Sequence, residues 1–426
     1  MKGVAVSWGS LAPAAALLAL AMAVVIQFML SPAGPPRVSP SPSSAQQPFS
    51  PFLHSTPLVD RIPVELVAAG SGPHTIVSSS VLTGDDLRAA VAAGDRFFNA
   101  VTGARVASWL ALSQLYTETC GNREQQRSGG LEAPTQEDCT LRLLHHSSDS
   151  PVPFIWPPVR VGHRFQIDLS LPDQRLIELE TLNEYPKVFY VHNFLDEEEV
   201  EALTSFAQSE ENPYSLRPST TGHKSWTEGG EGNVNSQRTS ENGFDISSPT
   251  AIAVKRRAFE LARLDGYDER LADGIQILRY KEQQAYVPHK DYFELRTSDD
   301  HNWDPRTGGS NRFATVFLYL SDVEEGGQTV FPRIPGSNST APLPREASIL
   351  AAGTWEQQMT EACYSKFSVT PRLGDALLFY SQQPDGSLDP LSLHGGCPVL
   401  SGTKWAANVW IWNSCRYGVC VNQPPK

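Results

Sequence analysis

The sequence predicts a mostly β fold with supporting helices, a β-sandwich or barrel, and three observations predict it. After Pro186 the chain breaks into short segments rich in β-branched and aromatic residues: GIQILRY, YVPHKDYF, FATVFLYL, QTVFP, DALLFY and KWAANVWIW. Two helix starts are marked near them. Asp196 is followed three residues on by Glu199, with Val200, Leu203 and Ala207 on one face, and Ser248-Pro249 opens a segment with Ile252, Ala258, Phe259 and Leu261 inward. The third observation is composition. With 426 residues, 40% hydrophobic and 19% charged, the chain is neither wholly disordered nor a multi-span transporter. A net charge of -13 with no run of Lys or Arg excludes a nucleic-acid footprint.

Taken in order, residues 1–30 form the first element. Leu11 to Leu30 is apolar apart from Gln27, and twenty residues at about 1.5 Å each match a hydrocarbon thickness of roughly 30 Å. A cleaved secretory signal is the alternative, but the run exceeds the roughly 7 to 15 residues of a signal core, so a signal anchor is expected. Residues 31–57, dense in Pro, Ser and Gln, form a stalk. Residues 58–181 form an N-terminal extension without an assigned function. It contains a helix after Thr83 (GDDLRAAVAAGDRFFNAV), a Gly-rich patch from Ser128 to Ala133 and a strand at Arg164 to Leu171. The strand Val188 to Phe194 opens the region of short strands.

The compartment follows from the same residues. Six cysteines, with no C-x-x-C pair, read as disulfides of an oxidising lumen. Cys120 with Cys139, and Cys397 with Cys415 or Cys420, are the short-loop candidates. Asn338-Ser339-Thr340 is an N-glycosylation acceptor.

Chemistry concentrates in two segments. In YVPHKDYF, His289 and Asp291 form an H-x-D pair, and on an extended chain residues i and i+2 face the same side. His394 in SLHGGCPVLSGTKW adds a second imidazole. Two histidines and one carboxylate make a facial triad that leaves three positions of a six-coordinate iron open for a cosubstrate and oxygen, whereas a closed zinc site needs a fourth ligand. Lys404, ten residues beyond His394 and among strand-like apolar residues, points an ammonium into the fold, which implies an anionic ligand.

From about Pro186 to Asn413 the chain resembles the prolyl 4-hydroxylase family of iron- and 2-oxoglutarate-dependent dioxygenases, in particular the plant and algal type with an N-terminal membrane anchor. The resemblance rests on PKVFYVHNFLDEEEV, QRTS, ILRYKEQQAYVPHKDYF, NRFATVFLYLSDVEEGGQTVFP, PRLGDALLFY and SLHGGCPVLSGTKWAANVW, in that order. It implies a double-stranded β-helix, or jelly-roll, over residues 182–415 and leaves 416–426 as a C-terminal tail. It assigns His289, Asp291 and His394 to Fe(II) and Lys404 to the distal carboxylate of 2-oxoglutarate. Tyr280 and Thr329 match positions that hydrogen-bond that carboxylate, and Trp410 matches an aromatic lining the cosubstrate pocket. Tyr286 and Arg312 match positions along the groove for the peptide proline. The Glu324-Glu325-Gly326-Gly327 turn fits a sharp hairpin. There are two departures. Some family members carry His two residues beyond the matching Trp, where this chain has Trp412, and the stretch from Pro335 to Lys366 is longer than usual and reads as a surface excursion near the active-site mouth.

The resemblance implies hydroxylation of peptidyl proline at C4, with 2-oxoglutarate and O2 consumed, succinate and CO2 released, and L-ascorbate restoring iron oxidised in uncoupled turnovers. Expected partners are proline-rich secreted polypeptides and, through the anchor, a membrane; a disulfide isomerase or a second copy is left open. The expected location is the endoplasmic reticulum membrane, single-pass type II with a lumenal catalytic domain, or the Golgi. Three readings compete: hydroxylation of lysine or of proline C3 on the same scaffold, a catalytically silent module holding Pro-rich chains, and a membrane-anchored scaffold whose work lies in the unassigned N-terminal region.

Overall fold

In the structure, a computed structural model, residues 59–70, 76–120, 139–169, 171, 175–219, 237–295, 301–336 and 342–418 are described. The apolar run 11–30, the stalk, the Gly-rich patch and the glycosylation acceptor lie outside them. Among the described residues no helix is long and apolar enough to cross a membrane.

The extension begins with a hairpin of β1 (Ile62–Ala68) and β2 (Ile76–Leu82). Thr83 then caps α1 (Gly84–Ala92): its Oγ1 accepts the Asp86 amide while the Asp86 carboxylate accepts the Thr83 amide. The helix is shorter than the sequence suggests. Gly94, at φ +102°, turns the chain out of it, and RFFN becomes β3 (Arg96–Asn99). After α2 (Trp109–Cys120), a Cys120–Cys139 disulfide leads into β4 (Leu141–His146), which runs parallel to β1 and antiparallel to β3. The order β2-β1-β4-β3 is a β-grasp arrangement. One face of this sheet, with Ile62, Val64, Phe97, Leu141 and Leu143, packs on Leu87 of α1 and on Leu112 and Tyr116 of α2. The other face, with Val67, Phe98 and Leu144, joins Phe154 and Trp156 in the core of the following strands.

Those strands are β5 (Arg164–Ile167), β6 (Ile177–Asn183), β7 (Val188–His192), β8 (Arg217–Pro218), β9 (Glu241–Asp245), β10 (Ile275–Tyr280), β11 (Tyr286–His289), β12 (Arg312–Tyr319), β13 (Glu325–Gly326), β14 (Thr329–Pro335), β15 (Lys366–Val369), β16 (Ala376–Tyr380), β17 (His394–Gly396), β18 (Val399–Ser401) and β19 (Lys404–Trp412). Among the described residues they form an antiparallel sheet of order β5-β6-β7-β16-β12-β19-β10-β9-β8, a smaller one of order β11-β17-β14-β15, and the short pair β13-β18. The expected boundary at 181/182 falls inside β6, so the large sheet draws two strands from the extension. Gly326 and Gly327 adopt positive φ, +79° and +67°, but the expected hairpin is corrected: Glu325–Gly326 is β13 and pairs with β18, and β12 and β14 on either side of it lie in different sheets.

Period-two alternation decides what faces the site. Val316 and Leu318 of β12, Ala407, Val409 and Ile411 of β19 and Leu378 of β16 turn outward onto Leu203 of α3 (Glu197–Gln208) and onto Val254 and Phe259 of α4 (Pro249–Leu261). Phe317 and Tyr319, Ala406, Leu377 and Phe379 turn inward and meet Phe331 and Val369 of the smaller sheet. Both helix starts hold as read: Asp196 with Glu199 forms a capping box, and Ser248 caps the Pro249 start. Ile252 is only half-buried, while Ala251, Val254 and Ala258 form the inward stripe. Glu199 also accepts both amino groups of buried Arg257, at 2.6 and 2.9 Å, and so compensates that charge.

The long stretch before β15 is more than a surface excursion. It contains α5 (Trp355–Ser365), whose Met359 and Cys363 are buried, and Cys363 is disulfide-bonded to Cys397. The expected pairing of Cys397 with Cys415 or Cys420 is therefore overturned. Sequence distance favoured the short loop, but the β14 to β15 connection returns α5 to the β17 end. Cys415 is also in a disulfide, and among the described residues no cysteine is free.

Candidate active site

β17 lies between β11 and β14, and its first residue, His394, sits directly opposite His289, the last residue of β11. The extended H-x-D geometry is corrected here. β11 ends at His289, and Asp291 reaches the same point from the bend that follows, not from a continuing strand. The three side chains still converge: one ligand atom from each of His289, Asp291 and His394 lies within 4.8 Å of the others. His289 Nε2 is 3.8 Å from Asp291 Oδ1, and His394 Nε2 is 3.7 Å from Asp291 Oδ2. Among the described residues no other His, Cys, Asp and Glu group could hold a metal.

Each imidazole has its tautomer set by the backbone. His289 Nδ1 donates to Val287 O at 3.0 Å and His394 Nδ1 to Ser392 O at 2.9 Å, so both Nε2 atoms present lone pairs to the common point. Burial pushes His289 down to about 3, with His394 adding to the effect, and keeps it in the neutral, ligating form. Burial would raise Asp291, but His394, His289, Arg312 and a 2.7 Å hydrogen bond donated by Thr315 Oγ1 together hold it below the usual carboxylate range. This donor set fits an iron with open positions better than a closed zinc site.

Inward alternation along β19 and β10 places Lys404 opposite Tyr280 in the register. Lys404 is 1% exposed, and its Nζ has no hydrogen-bond partner. The ammonium sits 5.3 Å from the Phe317 ring centre, 5.6 Å from Tyr280 and 5.8 Å from Tyr319. Burial drives it down to about 7. An orphaned buried cation is costly unless a carboxylate joins it, so the pocket fits 2-oxoglutarate through Lys404. Tyr280 and Thr329 line the same cavity, of about 550 Å³, that reaches His289, Asp291 and His394. Thr329 Oγ1 accepts the Tyr319 hydroxyl at 3.0 Å.

Trp410 lines the cavity with its indole N–H unpaired, and the Arg312 guanidinium lies 3.5 Å over its ring. Tyr286 stacks on His289, ring centres 3.8 Å apart, and the Arg238 guanidinium lies 4.7 Å from the centre of the Tyr286 ring. Trp412 is fully buried, and its indole N–H donates to Asp273 Oδ2 at 3.1 Å.

Sequence reading missed Thr315, Asp273 and Arg238. Thr315 is the one aliphatic hydroxyl in FATVFLYL, and its inward phase in the strand was a usable signal. Arg238 stood in the QRTS block without a role, and Asp273 sits in a short turn with no periodic signal.

The family model of the 2OG-Fe(II) oxygenase superfamily matches residues 275–412. The chain is 37% identical over 232 residues to probable prolyl 4-hydroxylase 3 of Arabidopsis thaliana, covering 54% of this chain and 71% of that protein. It is 35% identical over 233 residues to probable prolyl 4-hydroxylase 8 of the same plant, covering 55% and 71%. Among solved structures, a viral collagen prolyl hydroxylase of Paramecium bursaria Chlorella virus-1 in its 2OG complex matches at 22% identity and a TM-score of 0.35, covering 53% of this chain and 96% of that one. The arrangement of ligands, orphaned lysine and jelly-roll strands thus comes with relatedness through most of the length of plant enzymes, and the chain belongs to the prolyl 4-hydroxylase family of Fe(II)- and 2-oxoglutarate-dependent dioxygenases.

Proposed function

We propose that the protein hydroxylates peptidyl proline at C4 in proline-rich polypeptides of the secretory pathway. One 2-oxoglutarate and one O2 are consumed, and 4-hydroxyproline, succinate and CO2 are formed. The observation that carries this is one cavity that reaches the two-histidine, one-carboxylate cluster and is lined by Tyr280 and Phe317, two of the rings that stand around the unpartnered buried Lys404. Bound iron with 2-oxoglutarate supplies the oxidising chemistry. The chain's own residues do the rest: Lys404 holds the distal carboxylate, with Tyr280 and Thr329 beside it and Trp410 along the pocket wall. His289, Asp291 and His394 hold the metal, and Tyr286 and Arg312 flank the peptide proline. The buried walls keep water from the reacting carbon.

The secretory setting is supported by the apolar run at 11–30 and by the Cys120–Cys139 and Cys363–Cys397 disulfides. The reading includes a single-pass type II anchor in the endoplasmic reticulum membrane and L-ascorbate as the reductant that restores idle iron. The test is peptide-dependent release of CO2 from labelled 2-oxoglutarate by residues 58–426, with and without Fe(II), and with mass-spectrometric location of the new hydroxyl. Iron-dependent stimulation by proline peptides with oxygen at C4 is expected. Hydroxyl on lysine or on proline C3 would replace the regiochemistry, and an absence of iron binding would favour a silent binding module.

A further inference from the structure

The residues just past β19, which sequence reading leaves as a tail, contribute to the cavity wall. Arg416 and Tyr417 line it together with Asp273 and Gly274, and exposed Tyr214 and Ile246 lie along the same wall. Asp273 is buried and serves three donors. It accepts Arg312 Nε at 3.0 Å and Trp412 Nε1 at 3.1 Å, both on Oδ2, and Arg416 NH1 at 3.3 Å on Oδ1. Arg416 is thus the most weakly held of the three. Its Nε is buried without a hydrogen-bond partner, while about a third of its side chain remains exposed.

Charge bookkeeping sharpens the point. Among the described lining residues the cations are Arg238, Lys290, Arg312 and Arg416, and the carboxylates are Asp273 and Asp291. Lys290 is paired with Glu294 at 2.8 Å. Fe(II), Asp291, a 2-oxoglutarate dianion and the Lys404 ammonium sum to zero. Arg238, Arg312 and Arg416 then face Asp273 alone, which leaves two guanidinium charges uncompensated. The surplus is local, since the whole chain carries -13 and would repel an acidic substrate at long range.

The geometry points to Arg416 as a specificity-determining residue that receives an acidic side chain close in sequence to the target proline. This rests on the proposed peptidyl-proline reading and narrows its substrate class to prolines with a neighbouring Asp or Glu. Nearness follows from the connections: Arg312 donates to the Asp291 carbonyl at 3.3 Å and shares Asp273 with Arg416, so two ion pairs and one hydrogen bond connect Arg416 to Asp291. An extended polyproline II peptide advances about 3.1 Å per residue, which puts the acidic position within a few residues of the proline.

The test uses one Ser-Pro host peptide with Glu, Ser or Lys placed singly at each of the three positions before and after the target proline. The full-length protein, loaded with Fe(II) and 2-oxoglutarate, is assayed for KM and kcat and, independently, for binding by quenching of tryptophan fluorescence. At one position Glu is expected to bind about tenfold more tightly than Lys, with the ratio shrinking as salt rises. Arg416→Gln removes the ratio, and Arg416→Glu inverts it in favour of the Lys peptide, a charge reversal that a merely structural role does not give. If Glu, Ser and Lys peptides bind equally at every position, or if the native preference survives both substitutions in folded protein, the inference is overturned. Glu-preferring binding without turnover would keep it and overturn the hydroxylation reading; turnover without charge preference would do the reverse.

Discussion

Thr315 donates its hydroxyl to Asp291 Oδ2 at 2.7 Å, so a side chain from the middle of the large sheet fixes the carboxylate that faces both histidines. The pair orients a ligand that lies on a bend, where no strand holds it. Removing the donor while keeping the shape leaves Asp291 free to turn. Thr315→Val is expected to weaken Fe(II) affinity by about tenfold, at the low end for loss of a group that supports a ligand, and Thr315→Ser to restore it. Iron titration of the apoprotein checks this. Asp291→Ala is expected to abolish iron binding altogether.

Lys404 makes cosubstrate binding depend on pH. The free ammonium is pushed down to about 7 by burial, and a carboxylate on it raises that value again. Below about 7 the lysine is already charged in the free protein, so affinity for 2-oxoglutarate is level with pH. Above about 7 binding must take up a proton, and affinity falls as pH rises, by up to about tenfold per unit. Calorimetry in buffers of different ionisation enthalpy is expected to register proton uptake at pH 8.5 and almost none at pH 6.

The same lysine opposes folding in the ligand-free protein. Its folded value lies below that of the unfolded chain, so between about 7 and the unfolded value near 10.5 the unfolded state binds more protons. This contribution to stability therefore improves as pH rises through that window and is least favourable below it. Lys404→Met is expected to raise the Tm of the apoprotein at pH 6 while abolishing 2-oxoglutarate binding.

Gly103 and Trp156 hold the β-grasp unit onto the strands after it. A Cβ at Gly103 would stand 1.9 Å from the Trp156 ring, and φ there is +64°. Trp156 is itself fixed by an indole N–H donated to Leu261 O at 2.7 Å and by its backbone amide donating to the Tyr380 hydroxyl at 3.1 Å. Trp156→Ala is expected to cost about 3–5 kcal/mol and Gly103→Ala a comparable amount, with both regions still melting in one calorimetric transition. Two separate transitions would contradict a shared core.

The Cys363–Cys397 disulfide closes a loop with a sequence separation of 34. Replacing both cysteines with serine is expected to destabilise the protein by about 2–4 kcal/mol in denaturant unfolding.

His289, Asp291, His394 and Lys404 were legible because their chemistry is carried by residue type; strand period gave the inward face of Lys404 but not the place of Asp291, which lies on a bend. Two histidines, a carboxylate and a lone inward lysine stand out against apolar strands whatever the tertiary fold. What escaped depends on distant packing. The Cys397 partner is set by the path of α5, which no local pattern encodes. The role of Asp273 arises only when β12, β19 and the turn before β10 converge, bringing Arg312 and Trp412 to one carboxylate. The helix expected after Thr83 runs too far because Arg96 to Asn99 continues its amphipathic pattern beyond Gly94, where the backbone in fact turns into a strand.

His289 opposite His394, with Thr329 opposite Gly396 on the other side of β17, makes the site a matter of counting residues. Deleting one residue from β17 would turn His394 to the far face and strip the metal of a ligand at a stroke, with hardly a change in composition. The connection from Pro342 to Thr354, outside every strand, is under no such arithmetic. Lineages descending from one ancestor of this protein can lengthen or shorten that loop freely, while an insertion or deletion within β17 would extinguish the enzyme. Length variation among its orthologues should therefore crowd into the first region and vanish from the second.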